Sequence, residues 1–83
     1  MSNFQTKIIK EYEANGYYVI NLIKTNKNGI PDLLAIKDGQ IEFIECKEKN
    51  DSLKTLQKFR IDQLNKLNIN AKCLQDEKGV IYP

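Results

Sequence analysis

The dipeptide Asp38-Gly39 constrains the fold of this chain more than any other feature, because it separates two apolar runs, LLAIK and QIEFIECK. Asp-Gly in such a setting is the strongest short-range signal for a tight β-hairpin. If both residues form the turn, Lys37 faces Gln40, and every pair further along the two strands is then determined. The sequence therefore predicts a hairpin with strands over about residues 32–37 and 40–47.

The same register places two carboxylates opposite each other, because Asp32 then faces Glu45. Both side chains project from one face of the hairpin, and Lys47 joins them two residues further along. Directly opposed residues have Cβ atoms roughly 4.5–5.5 Å apart, so the two negative charges would repel each other. A divalent cation between them would remove that repulsion. The alternative is a solvated edge pair, but apolar residues on both faces of the strands indicate burial, where a lone carboxylate is costly.

Composition limits the available chemistry. The 83 residues contain no histidine and two cysteines, which excludes the usual four-ligand zinc site and histidine-dependent catalysis. We expect one domain over residues 1–83. Because the chain has no long apolar run and no secretory signal, we also expect no membrane span and a cytoplasmic location with reduced Cys46 and Cys73. The remaining agents are carboxylates, lysine, tyrosine or a metal bound by oxygen.

The segments around the hairpin predict the rest of the fold. A helical pattern ends at Asn15-Gly16, a β-branched and aromatic run precedes the hairpin, and a second helical pattern follows it. The predicted elements are a helix over 4–15, strands over 17–24, 32–37 and 40–47, a helix over 53–67, a strand over 71–74 and a candidate edge strand over 80–82. This order, α-β-β-β-α-β with a candidate last strand, indicates an α/β fold with a mixed central sheet flanked by helices.

The charged residues of the hairpin carry a family resemblance. Pro31-Asp32 followed by Glu45-Cys46-Lys47 resembles the PD-(D/E)XK signature of restriction-type nucleases and resolvases. The fuller pattern, GIPD, then ECK, then Gln57 in the following helix, is similar to the VRR-NUC branch over roughly residues 5–74. The resemblance implies a restriction-endonuclease-like αβββαβ core and a metal-dependent endonuclease that acts on DNA.

The resemblance also implies roles for single residues. Asp32 and Glu45 would bind Mg²⁺ or Mn²⁺, with the backbone carbonyl of Cys46 as a third ligand. The ion would polarise the scissile phosphate and lower the pKa of a bound water, and Lys47 would orient that water or stabilise negative charge. Gln57 would support the site.

The first helix of this family often carries a glutamate that assists the metal. Gln5 stands at that position here, and Glu11 is the alternative residue for the role. For Glu11 a simple surface charge is the other interpretation.

Basic residues lie on both sides of the hairpin, although the net charge of the chain is only +2. Their distribution, more than the total charge, favours a nucleic-acid partner. A solvated lysine surface is the alternative, with Arg60 extending along the helix to reach water. The predicted DNA-contacting residues are Lys24, Lys27, Lys49, Lys54, Lys58 and Arg60.

Stand-alone members of the resembled family are commonly phage-encoded and act on branched DNA such as Holliday junctions. By that resemblance we predict a structure-selective endonuclease, and the rivals are a non-catalytic DNA-binding or partner-binding adaptor of the same fold and a regulator from a mobile element. Coordinated cutting of a junction needs two centres, so we predict a homodimer. Apolar residues outside the core pattern would form its interface: Tyr17, Tyr18 and residues 80–82.

Overall fold

The computed structural model of the protein describes residues 2–83 and contains two helices and five strands. Met1, the first residue of the predicted domain, lies outside the described residues. Among residues 2–83, no helix is long and apolar enough to cross a membrane. The predicted element order and the last strand are confirmed. The elements are α1 (Asn3–Ala14), β1 (Tyr18–Asn21), β2 (Leu33–Lys37), β3 (Gln40–Lys47), α2 (Thr55–Lys66), β4 (Asn70–Gln75) and β5 (Gly79–Tyr82).

The five strands form one mixed sheet in the order β1-β2-β3-β4-β5. Three neighbouring pairs are antiparallel, and β3 and β4 are parallel. A parallel pair needs a crossover connection, and α2 provides it. The sheet therefore has β1 and β5 as its edges and β3 at its centre.

The hairpin between β2 and β3 has the predicted register. Pairing runs from Lys37 and Gln40 at the turn to Leu33 and Ile44 at the far end. Both turn residues, Asp38-Gly39, have positive φ angles of 52° and 77°. Positive φ at both central residues is the geometry of a type I′ turn, which Asp-Gly adopts readily.

The predicted backbone pair between Asp32 and Glu45 is not part of this ladder, which ends one residue earlier at Leu33. Asp32 instead makes its contact with β3 through its side chain, because its Oδ2 accepts a hydrogen bond of 2.9 Å from the Cys46 N–H. The carboxylate thus takes the place of the missing strand partner and stays beside Glu45.

Helix α1 covers one face of the sheet. Its buried side chains Phe4 and Ile8 pack against Leu33, Ala35 and Ile44, all three of which have no exposed surface. Ser2 begins the helix, as one of the two expected N-caps, by accepting a hydrogen bond from the Gln5 N–H.

Helix α2 covers the other face. The helical period places Leu53, Leu56, Leu64 and Leu67 on one side of this helix, which predicts a leucine core face that the structure confirms only in part. Leu56 and Leu67, expected in the core, are 44% and 68% exposed. The central buried residue is Ile61, which packs with Ala71 and Cys73, and Leu64 lies against the same cluster. Leu53 and Phe43 also pack against this cluster, so the buried face of α2 is centred on Ile61 and includes only part of the leucine face.

Tyr17 was expected to be free for an interface, and that expectation is wrong. Its ring packs against the α1 core and lies 4.8 Å from the ring of Tyr12, edge to face. The Lys37 ammonium group lies 5.3 Å from the same ring. Tyr18, which is 69% exposed, remains available at the β1 edge.

Candidate active site

Four predicted site residues meet where the end of β3 approaches the start of β2 and the first turn of α2. Glu45 and Lys47 project from one face of β3 and are only 3% and 9% exposed. The Lys47 Nζ lies 3.7 Å from the Glu45 Oε2. The Gln57 amide Nε2 donates to the same oxygen at 3.3 Å. Asp32 completes the group, since its charge acts directly on Glu45.

The electrostatics of Glu45 are unfavourable in the absence of a cation. Burial, and then the negative charge of Asp32, raise the pKa of Glu45 from its ordinary 4.5 to about 8, although Lys47 acts in the opposite direction. A carboxyl group that holds its proton near neutral pH is typical of a functional site. A positive ion between Asp32 and Glu45 would replace this proton and remove the repulsion.

Backbone groups of β3 add an oxygen ligand on the same side. The Cys46 N–H donates to Asp32, whereas the Lys47 carbonyl accepts from the Asp76 N–H on the opposite edge of the strand. Because the N–H and C=O of one strand residue point to the same edge, the Cys46 carbonyl points toward Asp32. Burial raises the pKa of the Cys46 thiol, so its sulfur stays protonated in the metal-free protein.

These donors suit a hard divalent cation. Among residues 2–83, no group of three or more His, Cys, Asp or Glu side chains converges as a metal cage. The candidate set is instead two carboxylates and one backbone carbonyl. Mg²⁺ is characteristically bound by one or two carboxylates, with waters and substrate phosphates as its other ligands. The residues present therefore fit Mg²⁺ or Mn²⁺.

Gln57 connects the site to the start of α2. Its Oε1 accepts a hydrogen bond of 2.9 Å from the Lys54 N–H, while its Nε2 donates to Glu45. The side chains of Asp51 and Ser52 predict one of these two residues as the N-cap, and this prediction is wrong because Lys54 occupies that position. One amide satisfies a free backbone group of the helix and orients a site carboxylate.

The structure separates the two candidate accessory residues of α1. Gln5 donates to Asn21 Oδ1 at 3.1 Å, and both line a cavity of about 350 Å³ together with Asp32. Glu11 lies beside a different cavity, which Glu42 also lines. Six residues of helix correspond to about 9 Å, so the two positions cannot serve one site. Only Gln5 lies at the Asp32 cavity, and the alternative with Glu11 is not supported by its position.

Four of the predicted DNA-contacting lysines lie in three places. Lys24 and Lys27 line a cavity of about 320 Å³ that includes Asp32. Lys49 forms an ion pair of 3.5 Å with Glu77, and both side chains are largely exposed. Lys58 lines a separate cavity beyond α2 that also includes Gln75.

Arg60 has a structural role in this conformation. Its Nε donates to the Asn28 carbonyl at 2.8 Å, and its Nη1 donates to Gln63 Oε1 at 3.1 Å. The guanidinium group therefore ties the loop before Asp32 to α2. Its effect on DNA would act through this loop.

Gln75 is a site neighbour that the sequence analysis missed. It is 5% exposed and is the strand partner of Lys47 on β4. Its Nε2 donates to the carbonyls of Glu48 and Asp51, which holds the loop between Lys47 and α2. The only signal in the sequence is a polar residue at the end of a strand, which does not indicate what it binds.

The antiparallel hairpin, the parallel β3–β4 pair and the carboxylates with their lysine define a PD-(D/E)XK nuclease fold. Within this superfamily the model of the VRR-NUC domain family matches residues 4–76. The chain belongs to the VRR-NUC family, as the resemblance predicted.

Two solved structures agree with this assignment. A VRR-NUC domain is 28% identical to the chain, with a TM-score of 0.74, over 84% of this chain and 77% of that one. Hjc, a Holliday junction resolvase from the archaeal hyperthermophile Archaeoglobus fulgidus, is 15% identical, with a TM-score of 0.68, over 87% of this chain and 64% of that one. At that identity the second likeness concerns the fold alone. Comparison with curated proteins found no match. Family and fold together support a nuclease.

Proposed function

We propose that this protein is a divalent-cation-dependent endodeoxyribonuclease that hydrolyses phosphodiester bonds in branched DNA, with the Holliday junction as the leading substrate. The observation that carries the proposal is the buried pair of Asp32 and Glu45 beside Lys47. Family membership supports the nuclease activity, and the fold shared with a junction resolvase supports the choice of substrate.

Each residue of the candidate site would have a separate role in metal binding or catalysis. Asp32, Glu45 and the Cys46 carbonyl would hold Mg²⁺ or Mn²⁺. When bound, the cation supplies Lewis-acid stabilisation of the charge that develops on the scissile phosphate. Lys47 is a charged donor with an 11% exposed side chain, which suits it to orient the attacking water and stabilise negative charge. Gln57 would orient Glu45.

Lysines around the site would bind the sugar-phosphate backbone. Lys24 and Lys27 line the same cavity as Asp32, and Lys49 and Lys54 lie in the segment between Lys47 and α2. Contacts of this type release counterions, so binding should weaken steeply as salt rises. Replacing Lys24 and Lys27 together should reduce the salt dependence by about two counterions.

The cleavage assay is the direct test. Purified protein is incubated with supercoiled plasmid, and then with flaps, forks, four-way junctions and linear duplex of matched sequence, in Mg²⁺, Mn²⁺ or EDTA. We expect cleavage in either metal, none in EDTA, and preference for the branched DNAs. Tight binding without cleavage in any metal would instead favour an adaptor of the same fold.

We further propose a homodimer that acts inside the cell, as a phage-encoded enzyme would in its host. The β5 edge supports this assembly, since Val80 and Ile81 are 56% and 38% exposed on a strand with one free side. Sedimentation at micromolar concentration, with and without junction DNA, tests it. A monomer in both conditions refutes the dimer and favours simple nicking.

A further inference from the structure

Ile23 is an apolar side chain held out into solvent beside the candidate active site. It is 87% exposed, the highest value among the large hydrophobic residues of the described chain. Its backbone is nevertheless fixed: its N–H donates to the Asn21 carbonyl at 3.0 Å, and the Leu22 N–H donates to the Asp32 carbonyl at 2.8 Å. The exposed side chain is therefore tied through one residue to a proposed metal ligand.

Ile23 also separates two concave surfaces that both reach Asp32. One is the cavity of about 350 Å³ with Gln5 and Asn21, which presents neutral amides. The other is the cavity of about 320 Å³ with Lys24 and Lys27, which presents positive charge. Leu22, Ile23 and Asp32 line both cavities, and of the two apolar residues Leu22 is half-buried whereas Ile23 is exposed. An apolar ridge thus divides two paths that converge on the site.

We propose that Ile23 is a wedge that packs against an exposed base where a DNA duplex is interrupted, with the diverging strands in the two cavities. This inference rests on the proposed nuclease function and deepens it, because it names the residue that would recognise the interruption in a junction, fork or flap. Apolar side chains inserted between bases must unstack them, and this costs free energy. At a branch point the stack is already open, so the same contact costs less there than in continuous duplex.

Exposed aliphatic residues also occur singly on ordinary surfaces. The chain offers a matched control, because Leu67 is 68% exposed at the C-terminal end of α2 and lines neither cavity. A general effect of removing surface hydrophobicity would appear in Leu67→Ala and Ile23→Ala alike. A wedge effect would appear only in Ile23→Ala.

The kinetic test compares wild type, Ile23→Ala, Ile23→Phe and Leu67→Ala on a fork, a four-way junction and a linear duplex with Mn²⁺. We expect Ile23→Ala to lower kcat/KM on the branched DNAs by about tenfold, near the lower end of the range for aromatic side chains that stack on bases, because an aliphatic side chain offers less contact area. The linear duplex should change less than twofold, Ile23→Phe should retain branch preference, and Leu67→Ala should match wild type. An equal loss on all three DNAs, or no loss on any, overturns the wedge.

A binding test in EDTA separates the wedge from the nuclease proposal. A DNA with 2-aminopurine at the branch point should gain fluorescence with wild type and with Leu67→Ala, but not with Ile23→Ala. If the protein cleaves DNA and no variant changes this signal, the wedge fails and the nuclease stands. If the signal depends on Ile23 and no DNA is cleaved, the wedge stands and the nuclease fails.

Discussion

Two buried glutamates on β3 face opposite sides of the sheet and have opposite surroundings. Glu42 and Glu45 are 9% and 3% exposed, and an odd spacing along a strand places them on different faces. Glu42 forms an ion pair with Lys72 and accepts a hydrogen bond of 2.7 Å from the Tyr12 hydroxyl. Glu45 lies instead beside a second carboxylate, with the Lys47 ammonium group 3.7 Å away.

The difference is the one expected between a structural carboxylate and a functional one. Glu42 has a close cation and a donor, and the same contact and burial raise the pKa of Tyr12, which keeps its hydroxyl as a donor. Glu45 has a like charge as its neighbour, which raises its pKa and destabilises the metal-free protein. Burial of a glutamate alone therefore does not indicate a site, whereas burial next to another carboxylate does.

The largest expected difference between the two glutamates is in catalysis. Asp32→Ala, Glu45→Ala and Lys47→Ala should each lower the cleavage rate by at least about a thousandfold, because each removes several kcal/mol of charge stabilisation. Glu42→Ala should retain cleavage when it is assayed below its melting temperature. Cys46→Ala should also retain it, since only the backbone carbonyl is a proposed ligand. Full activity in any of the first three variants would disprove the proposed site.

The second prediction concerns stability, for which we expect the substitution of Glu42 to have a larger effect than that of Glu45. Glu42→Ala should lower the free energy of unfolding by about 2–3 kcal/mol, less than for a fully buried pair because the Lys72 side chain is 25% exposed. Glu45→Gln in EDTA should be neutral or stabilising. Urea unfolding at fixed pH measures both changes. Adding Lys72→Met to Glu42→Ala should recover part of the lost stability. Equal destabilisation by Glu42→Ala and Glu45→Gln would contradict the different roles proposed for the two glutamates.

Metal binding should also reveal which carboxylate is functional. At a Mn²⁺ concentration about 100 times the dissociation constant, the wild type should gain about 2.7 kcal/mol, with a higher Tm. Asp32→Asn should gain less, although its amide oxygen can still accept from the Cys46 N–H. In EDTA this variant should be as stable as the wild type or more so. Equal metal shifts in both proteins would contradict a shared site.

The last prediction is a pH dependence without metal, whose change over one pH unit is smaller than the effects above. The pKa of Glu45 is about 8 in the folded state against an ordinary 4.5, so between these values the folded protein holds a proton that the unfolded chain releases. Stability should thus be greatest at the acidic end and fall as pH rises toward 8, by at most about 1.4 kcal/mol per unit. Glu45→Gln should flatten this slope, whereas Glu42→Gln should leave it. If the stability of Glu45→Gln still falls as pH rises, the pH dependence belongs to another titrating group.

Local patterns in the sequence were sufficient for the hairpin and the element order. Asp-Gly chemistry predicts the turn, alternation predicts the register, and the observed ladder from Lys37 to Leu33 follows both. Asn68 likewise ends α2 with a φ of 62°, as its tolerance of left-handed geometry predicts. The juxtaposition of Asp32 and Glu45 follows from the same register, and their catalytic roles stay predictions.

Contacts between elements distant in sequence were decided only by the tertiary structure. Three features depend on how helices and loops pack on the sheet: the buried stripe of α2, the position of Gln5 rather than Glu11 at the Asp32 cavity, and the contact of Gln75 with the carbonyls of Glu48 and Asp51. The physical reason is the distance along the chain over which each interaction acts. Turn chemistry and strand alternation act between residues near in the chain, whereas a helix can pack in several rotations, and only the facing sheet selects one.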